Sequence, residues 1–314
     1  MIEIINAAAQ AIIVDSGRYG FSDIGVPHSS ALDMFSYKAV NFLTGNEDGA
    51  PAIESFGSMF SMKFHEEMVF AVTGAWVDGV IDEIPFTSWR SIRAKRGSIM
   101  KIKRVYSGFR YYIGFSGKMD IDQVMGSYTT NLECCFGGLD GRPLKKGDLI
   151  RFSNITSIED RFILKDAIPS MDPPHTLRII DGPEIDYFTD DAIEKFFGKK
   201  DVSSYVVSTK SNRTGIRLEG NPVEFKEGVE KSIISEGILP GTIQIPGDGM
   251  PVIVLNERTL GGYARIASVA KVDQDMLAHL KPKDKVILKR IDIEEADTLW
   301  NTKQKLIKNL LKNE

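Results

Sequence analysis

Short β-branched and aromatic runs set off by glycine constrain this chain more than any other feature. Met68–Thr73, Ile99–Val105, Phe109–Phe115, Leu149–Phe152, Thr176–Ile180, Ser232–Ser235, Thr242–Ile245, Val252–Leu255 and Val286–Ile291 are mostly four to seven residues long. That length suits strands and is too short for most helices. Many short strands joined by glycine turns fit barrels or sandwiches. Helices are fewer. One is expected from a cap at Ser29 or Ser30 to Leu43, with Gly45 as its stop, and a second from Glu184 to Phe197 before Gly198. A short helix is expected from Asp273, burying Met276, Leu277 and Leu280, and a last one from Glu294 into a lysine-rich tail.

At 314 residues the chain is long enough for two domains. Leu144–Asp148 precedes the apolar run at 149–152, and Leu280–Asp284 precedes the run at 286–291, with a Gly-Gly pair upstream of each. The repeat reads either as a turn type used twice or as two related β domains. The Pro-rich stretch 169–174 falls where a linker would stand, giving domains of 1–170 and 171–314, the second with a helical tail. In that tail Lys303, Lys305, Lys308 and Lys312 alternate with Leu306, Ile307, Leu310 and Leu311 as on an amphipathic helix.

Composition excludes several classes. A formal charge of −4 gives no basic excess for nucleic acid. No run approaches the ~20 apolar residues of a membrane helix, and the start lacks the cationic lead of a signal peptide. The two cysteines, Cys134 and Cys135, are adjacent, so a disulfide framework is excluded and a reducing, cytoplasmic setting is expected. The four histidines are scattered, with no H-x-x-x-H or C-x-x-C pair, and no metal site is expected. No G-x-x-x-x-G-K-[ST] phosphate loop and no G-x-S-x-G elbow occurs.

Four glycine-framed polar stretches remain. In 15–20 and 25–33, Arg18 either forks onto an anion or pairs with Asp15 or Asp33 to pin a turn. In 126–144, Ser127 and Thr129 either read a polar ligand or brace a loop. In 208–220, Arg213 and Arg217 at alternating strand positions would face one way, as an anion clamp or an ion-pair network. In 235–263, Glu236 and Gln244 are polar residues among strand residues, which mark a site or a core hydrogen-bond network.

Taken together these stretches resemble the family of the 5-oxoprolinase C subunit, also called allophanate hydrolase subunit 2 or biotin-dependent carboxyltransferase. D-S-G-R-Y-G at 15–20, G-V-P-H-S-S-A-L-D at 25–33, G-G-L-D-G-R-P-L-K-K-G-D at 137–148, S-N-R-T-G-I-R-L-E-G at 211–220 and S-E-G-I-L-P-G-T-I-Q-I-P at 235–246 carry the resemblance. It implies a mostly-β fold of two cyclophilin-like β-barrel domains, with a few helices. It also implies one component of an ATP-dependent enzyme that opens 5-oxo-L-proline to L-glutamate. That component would act with the A and B subunits and share ATP with them, with a homo-oligomer of heterodimers as one expected assembly. Under it Glu236, Arg213 and Arg18 are the expected catalytic residues, and Arg217, Gln244, Tyr263, Asp15, Ser127 and Thr129 the expected substrate-binding ones. The other readings are half of a biotin-dependent carboxyltransferase fed by a biotin carrier, and a non-catalytic regulatory binding protein. The sequence departs from the family pattern at Val14, where glutamine is usual, and at Asn256–Leu260.

Overall fold

The computed structural model describes residues 1–198 and 202–311. By contact the chain forms two compact units. The first holds Met1–Gly20 and Ser29–Met171; the second holds Phe21–His28 and Asp172–Ile307; the final helical residues from Lys308 group with the first.

The strands of the first unit are β1 (Ile2–Asn6), β2 (Gln10–Val14), β3 (Ala52–Phe56), β4 (Phe60–Phe64), β5 (Met68–Ile81), β6 (Ile84–Phe86), β7 (Ser91–Ala94), β8 (Ile99–Phe115), β9 (Lys118–Met119), β10 (Leu149–Ile150) and β11 (Phe152–Ser153). Nine of them form a half-barrel sheet in the order β10-β1-β4-β8-β3-β2; β5 adds to β8, and β6 and β7 add to β5. The two runs expected at 99–105 and 109–115 are one continuous strand. Gly108 sits at φ 80°, and register shifts in β5 between Gly74 and Val77 absorb the interruption. Ile2, Ile4, Phe60, Met62, Phe64, Phe70, Met100, Ile102, Tyr111 and Ile113 fill the concave face.

The helix α1 (Met34–Leu43) belongs to this unit. Its cap is Asp33, whose Oδ1 accepts from Ser36 N at 2.9 Å, and not Ser29 or Ser30. Asp33 has the extended backbone a cap needs, whereas Ser29 lies at φ 47° and Ser30 Oγ donates to Ala31 O. Gly45, at φ 69°, ends the helix as expected; a Cβ there would meet Ile158 at 2.6 Å. The helix closes on β8 because Gly114 carries no side chain, and a Cβ there would meet Val40 Cγ2 at 3.0 Å.

In the second unit lie β12 (His175–Asp181), β13 (Val202–Val207), β14 (Gly215–Glu219), β15 (Ser232–Gly237), β16 (Thr242–Ile245), β17 (Val252–Val254), β18 (Leu260–Val269) and β19 (Lys285–Arg290). Their order is β12-β19-β13-β14-β17-β16-β18, and β12 pairs again with β18, so the sheet closes into a ring with β15 appended to β18. Leu177, Ile179, Ile216, Leu218, Ile243, Ile253, Ile266, Val286 and Leu288 are buried. Closure leaves almost no free edge, which removes a route to strand-to-strand aggregation. The mostly-β class of two barrel-type domains implied by the resemblance is the class of this fold, with one half-barrel sheet and one closed ring.

The second helix, α2 (Asp190–Phe197), is shorter than expected. A 3-10 turn occupies Ile185–Tyr187, and Thr189 caps the helix by accepting from Ala192 N at 3.1 Å. The segment from Lys271 to His279 is 3-10 helix, burying Leu277 and leaving Met276 half-exposed. The last helix, α3 (Ile293–Leu310), has no fully buried residue. Ile307, Leu310 and Leu311 are half-buried, and Lys303 donates to Val272 O at 2.6 Å and pairs with Asp275 at 2.8 Å. Lys312 of the tail lies outside the described residues.

The internal repeat has a physical basis. Asp148 accepts from Lys145 N and donates its own N–H to Lys145 O; Asp284 does the same with Lys281. Gly147 N donates to Ile4 O while Ile4 N donates to Asp148 O; Lys283 N donates to Val207 O while Val207 N donates to Asp284 O. One turn, with one set of backbone partners, serves both sheets. The residue before its aspartate takes positive φ, 88° at Gly147 and 76° at Lys283.

Candidate functional site

The first polar cluster is built where β2 runs into the loop of D-S-G-R-Y-G. Asp15 is buried, and its carboxylate accepts from four donors: Gly17 N at 2.8 Å, Ser127 Oγ at 2.7 Å, Thr129 Oγ1 at 2.7 Å and Tyr128 N at 2.6 Å. Thr129 Oγ1 also accepts from Asp15 N at 2.7 Å. Arg18 is fully buried beside it. Its Nε donates to Val124 O at 2.9 Å, its Nη2 to Thr129 O at 3.0 Å, and its guanidinium lies 4.6 Å from the centre of the Phe136 ring. Thus Asp15, Arg18, Ser127 and Thr129 come together, and the arginine pins a loop through carbonyl oxygens and an aromatic face. Gly137 and Gly138 are needed there: a Cβ on Gly137 would meet Thr129 O at 2.2 Å, and one on Gly138 would meet Thr130 Oγ1 at 2.0 Å.

Sequence reading missed a second buried group in the same unit. Glu54 lies 3.5 Å from Arg110, and its Oε2 accepts from Tyr112 OH at 2.9 Å and from Leu32 N at 3.1 Å. It therefore holds the backbone of the G-V-P-H-S-S-A-L-D motif just before the α1 cap. A lone carboxylate inside the apolar run Ala52–Phe56 was the available signal, since a buried charge needs partners.

In the second unit β15, β18 and β16 bring Glu236, Gln244 and Tyr263 together around Arg265, which sequence reading also missed. Glu236 faces Gly261, and Gln244 faces Arg265 across the ladder. Gln244 Nε2 donates to Tyr263 O at 3.1 Å, and a Cβ on Gly261 would meet that amide at 2.4 Å, so the glycine gives Gln244 its place. Arg265 forks onto Glu184, with Nε to Oε2 at 2.7 Å, and its Nη2 also reaches Glu236 Oε2 at 3.0 Å. Burial raises the Glu184 carboxyl, but the hydrogen bonds and charge of Arg265 outweigh it and hold Glu184 below the ordinary carboxylate value. The bonds Arg265 donates to Glu184 hold its own guanidinium well above the usual value. Glu236 keeps a side chain 59% exposed, so one oxygen edge of this group faces solvent.

Arg213 and Arg217 do not form one clamp. Arg213 stands in the turn before β14, buried, with Nε 3.0 Å from the buried Glu257. Arg217 lies within β14 and pairs with Asp248. Glu257 and Asp248 thus divide the two arginines into separate pairs. The Phe21–His28 segment lies against the same loop region, with Thr259 Oγ1 donating to Gly25 O at 3.3 Å. Burial, then the charge of Lys271, lowers the His28 pKa below the ordinary imidazole value.

Among the described residues no group of three or more His, Cys, Asp or Glu side chains could hold a metal ion, and no helix is long and apolar enough to cross a membrane.

Residues 24–290 match the carboxyltransferase domain family, subdomains A and B. The chain belongs to this family. It is 34% identical to the C subunit of 5-oxoprolinase from Escherichia coli strain K12, over 94% of this chain and 93% of that protein. It is 30% identical to the urea amidolyase of Saccharomyces cerevisiae, over 98% of this chain and 18% of that protein. Among solved structures, the urea amidolyase of K. lactis superposes with a TM-score of 0.91 at 27% identity, over all of this chain and 20% of that one. Members related at this level are subunits or domains of larger enzymes, and the family resemblance drawn from the motifs is correct.

Proposed function

We propose that this chain is the C subunit of an ATP-dependent 5-oxoprolinase, opening 5-oxo-L-proline to L-glutamate with hydrolysis of ATP. The observation that carries the proposal is coverage: the similarity to the E. coli 5-oxoprolinase protein runs over nearly the whole of both chains, whereas urea amidolyase is matched over less than a fifth of its length. A lactam is a poor electrophile. Phosphorylation of its oxygen turns that oxygen into a leaving group, and cationic or amide donors stabilise the charge that develops. This chain has no phosphate loop of its own, so the proposal assigns the nucleotide phosphates to the A and B subunits.

Within that reading Glu236 is the proton carrier, because it is the exposed carboxyl of the Arg265 group. Gln244 and Tyr263 orient the substrate, and Arg213 and Arg217, each held by a carboxylate, supply positive potential. Arg18, fully buried, acts with Asp15, Ser127 and Thr129 by fixing the 124–136 loop. The test is a reconstituted complex of this chain with its A and B partners, assayed for glutamate. Glu236→Gln should lower kcat by roughly 10²-fold or more, while Gln244→Ala should act mainly on KM. An unchanged kcat in Glu236→Gln removes that role.

The second reading, half of a biotin-dependent carboxyltransferase, is favoured by the TM-score of 0.91 to urea amidolyase over the full chain. It requires a biotinyl carrier as carboxyl donor, and capture of a carboxylated carrier by this chain would support it.

A further inference from the structure

The chain's two cysteines take no part in either polar cluster, yet both are exposed and adjacent. They lie in the turn Leu132–Cys135, which is closed by the reciprocal pair Asn131 N to Phe136 O at 2.9 Å and Phe136 N to Asn131 O at 3.3 Å. In an extended strand, neighbouring side chains point to opposite faces. This turn is not extended strand: Cys135 adopts φ 55°, in the left-handed region. The turn is anchored on both sides. Asn131 Oδ1 accepts from Cys134 N at 2.7 Å, Asn131 Nδ2 donates to Ser29 Oγ at 2.8 Å, and Cys135 Sγ points to Leu132 O at 3.6 Å. A Cβ on Gly141 would meet Cys135 O at 2.0 Å, so that glycine leaves room for the turn.

We propose that Cys134 and Cys135 form a dithiol site for one soft, thiophilic centre of the trivalent arsenic class, and that filling it tightens the loop that holds Arg18. Adjacent Cα atoms are about 3.8 Å apart, short of the roughly 4.4–6.8 Å that a relaxed disulfide spans. A direct S–S bond therefore strains the turn. A bridging soft centre relieves that demand, because it inserts two bonds to sulfur of about 2.3 Å, the length of a zinc–thiolate bond, and thiolates prefer soft partners. With an aryl arsenoxide the step balances. Two As–S bonds form, the As–O bond breaks, and the two thiol protons leave with that oxygen as water. The ring so made ties the tip of a turn whose closing residue, Phe136, lies against the Arg18 guanidinium.

The experiment uses the whole chain and phenylarsine oxide, followed by intact mass. The wild type should carry one phenylarsenic group per chain, keep it in excess glutathione and lose it to 2,3-dimercaptopropanol. Cys134→Ser and Cys135→Ser, both at exposed positions and checked for wild-type circular dichroism, should each surrender the group to glutathione. Wild type that loses it to glutathione as readily as the variants, or a single variant that retains it, overturns the site. Amide hydrogen exchange at Asn131 and Phe136 should slow at least tenfold in the adduct. Unchanged exchange with a retained adduct overturns the link to the Arg18 loop.

Discussion

Asp15→Asn isolates what the first polar cluster does. The substitution keeps size and shape, so no cavity forms. It leaves one acceptor oxygen for Ser127 and Thr129 and puts an NH2 opposite the Tyr128 N–H, which now meets its acceptor at 2.6 Å. One charge-assisted bond, worth about 1.5–3 kcal/mol, is lost, and a buried backbone N–H is left facing another donor. The expected loss is about 2–4 kcal/mol, a large share of the roughly 5–15 kcal/mol that stabilises a typical domain. Asp15→Ala, which strands all four donors, should cost more. Urea unfolding followed by circular dichroism measures the difference, and hydrogen exchange should show the loss centred on 127–131. If Asp15→Asn changes the unfolding free energy by less than about 0.5 kcal/mol and only raises KM, the carboxylate reads a ligand and the bracing argument fails.

Lys283 occupies the left-handed turn position filled by Gly147 in the first unit. Relief of that backbone strain, about 1–2 kcal/mol, set against the added freedom of glycine in the unfolded chain, predicts that Lys283→Gly stabilises by about 0.5–1 kcal/mol in urea unfolding. Gly147→Lys should destabilise by a similar amount. His175 is buried with Nε2 3.1 Å from Asp284; burial lowers its pKa more than Asp284 raises it. The unfolded imidazole binds its proton near pH 6.5 and the folded one only at lower pH, so this contribution is complete above about pH 7 and is lost as pH falls through 6.5 toward the folded value. His175→Gln should flatten the fall in stability between about pH 7 and 5, with the remaining slope including His28. Glu184→Gln removes the charge that fixes Arg265, and should lower kcat in the reconstituted complex while leaving the melting temperature within a few degrees.

Local pattern carried most of the architecture. Runs such as Thr242–Ile245 and Val252–Leu255 are strands because β-branched side chains suit a pleated surface between glycine turns. Ring closure by β12 with β18 was not legible, since that pairing joins Ile179 to Val269 with no local marker in either segment. The α1 cap was misread by a few residues because Ser29, Ser30 and Asp33 are all capping types, and only backbone conformation separates them. At the sites, Asp15 with Ser127 and Thr129, and Glu236 with Gln244, stood out as polar groups among glycines and apolar residues. Arg265 with Glu184, separated by 81 residues, and Glu54 with Arg110 did not, because a charge pair across a closed sheet leaves no spacing in the sequence.

The proposed lactam opening is expected to be independent of biotin. With the A and B partners supplied, glutamate should appear from 5-oxoproline only when ATP is present, at the same rate without added bicarbonate and with avidin in excess. Absence of glutamate from an intact complex, or a rate abolished by avidin, contradicts it.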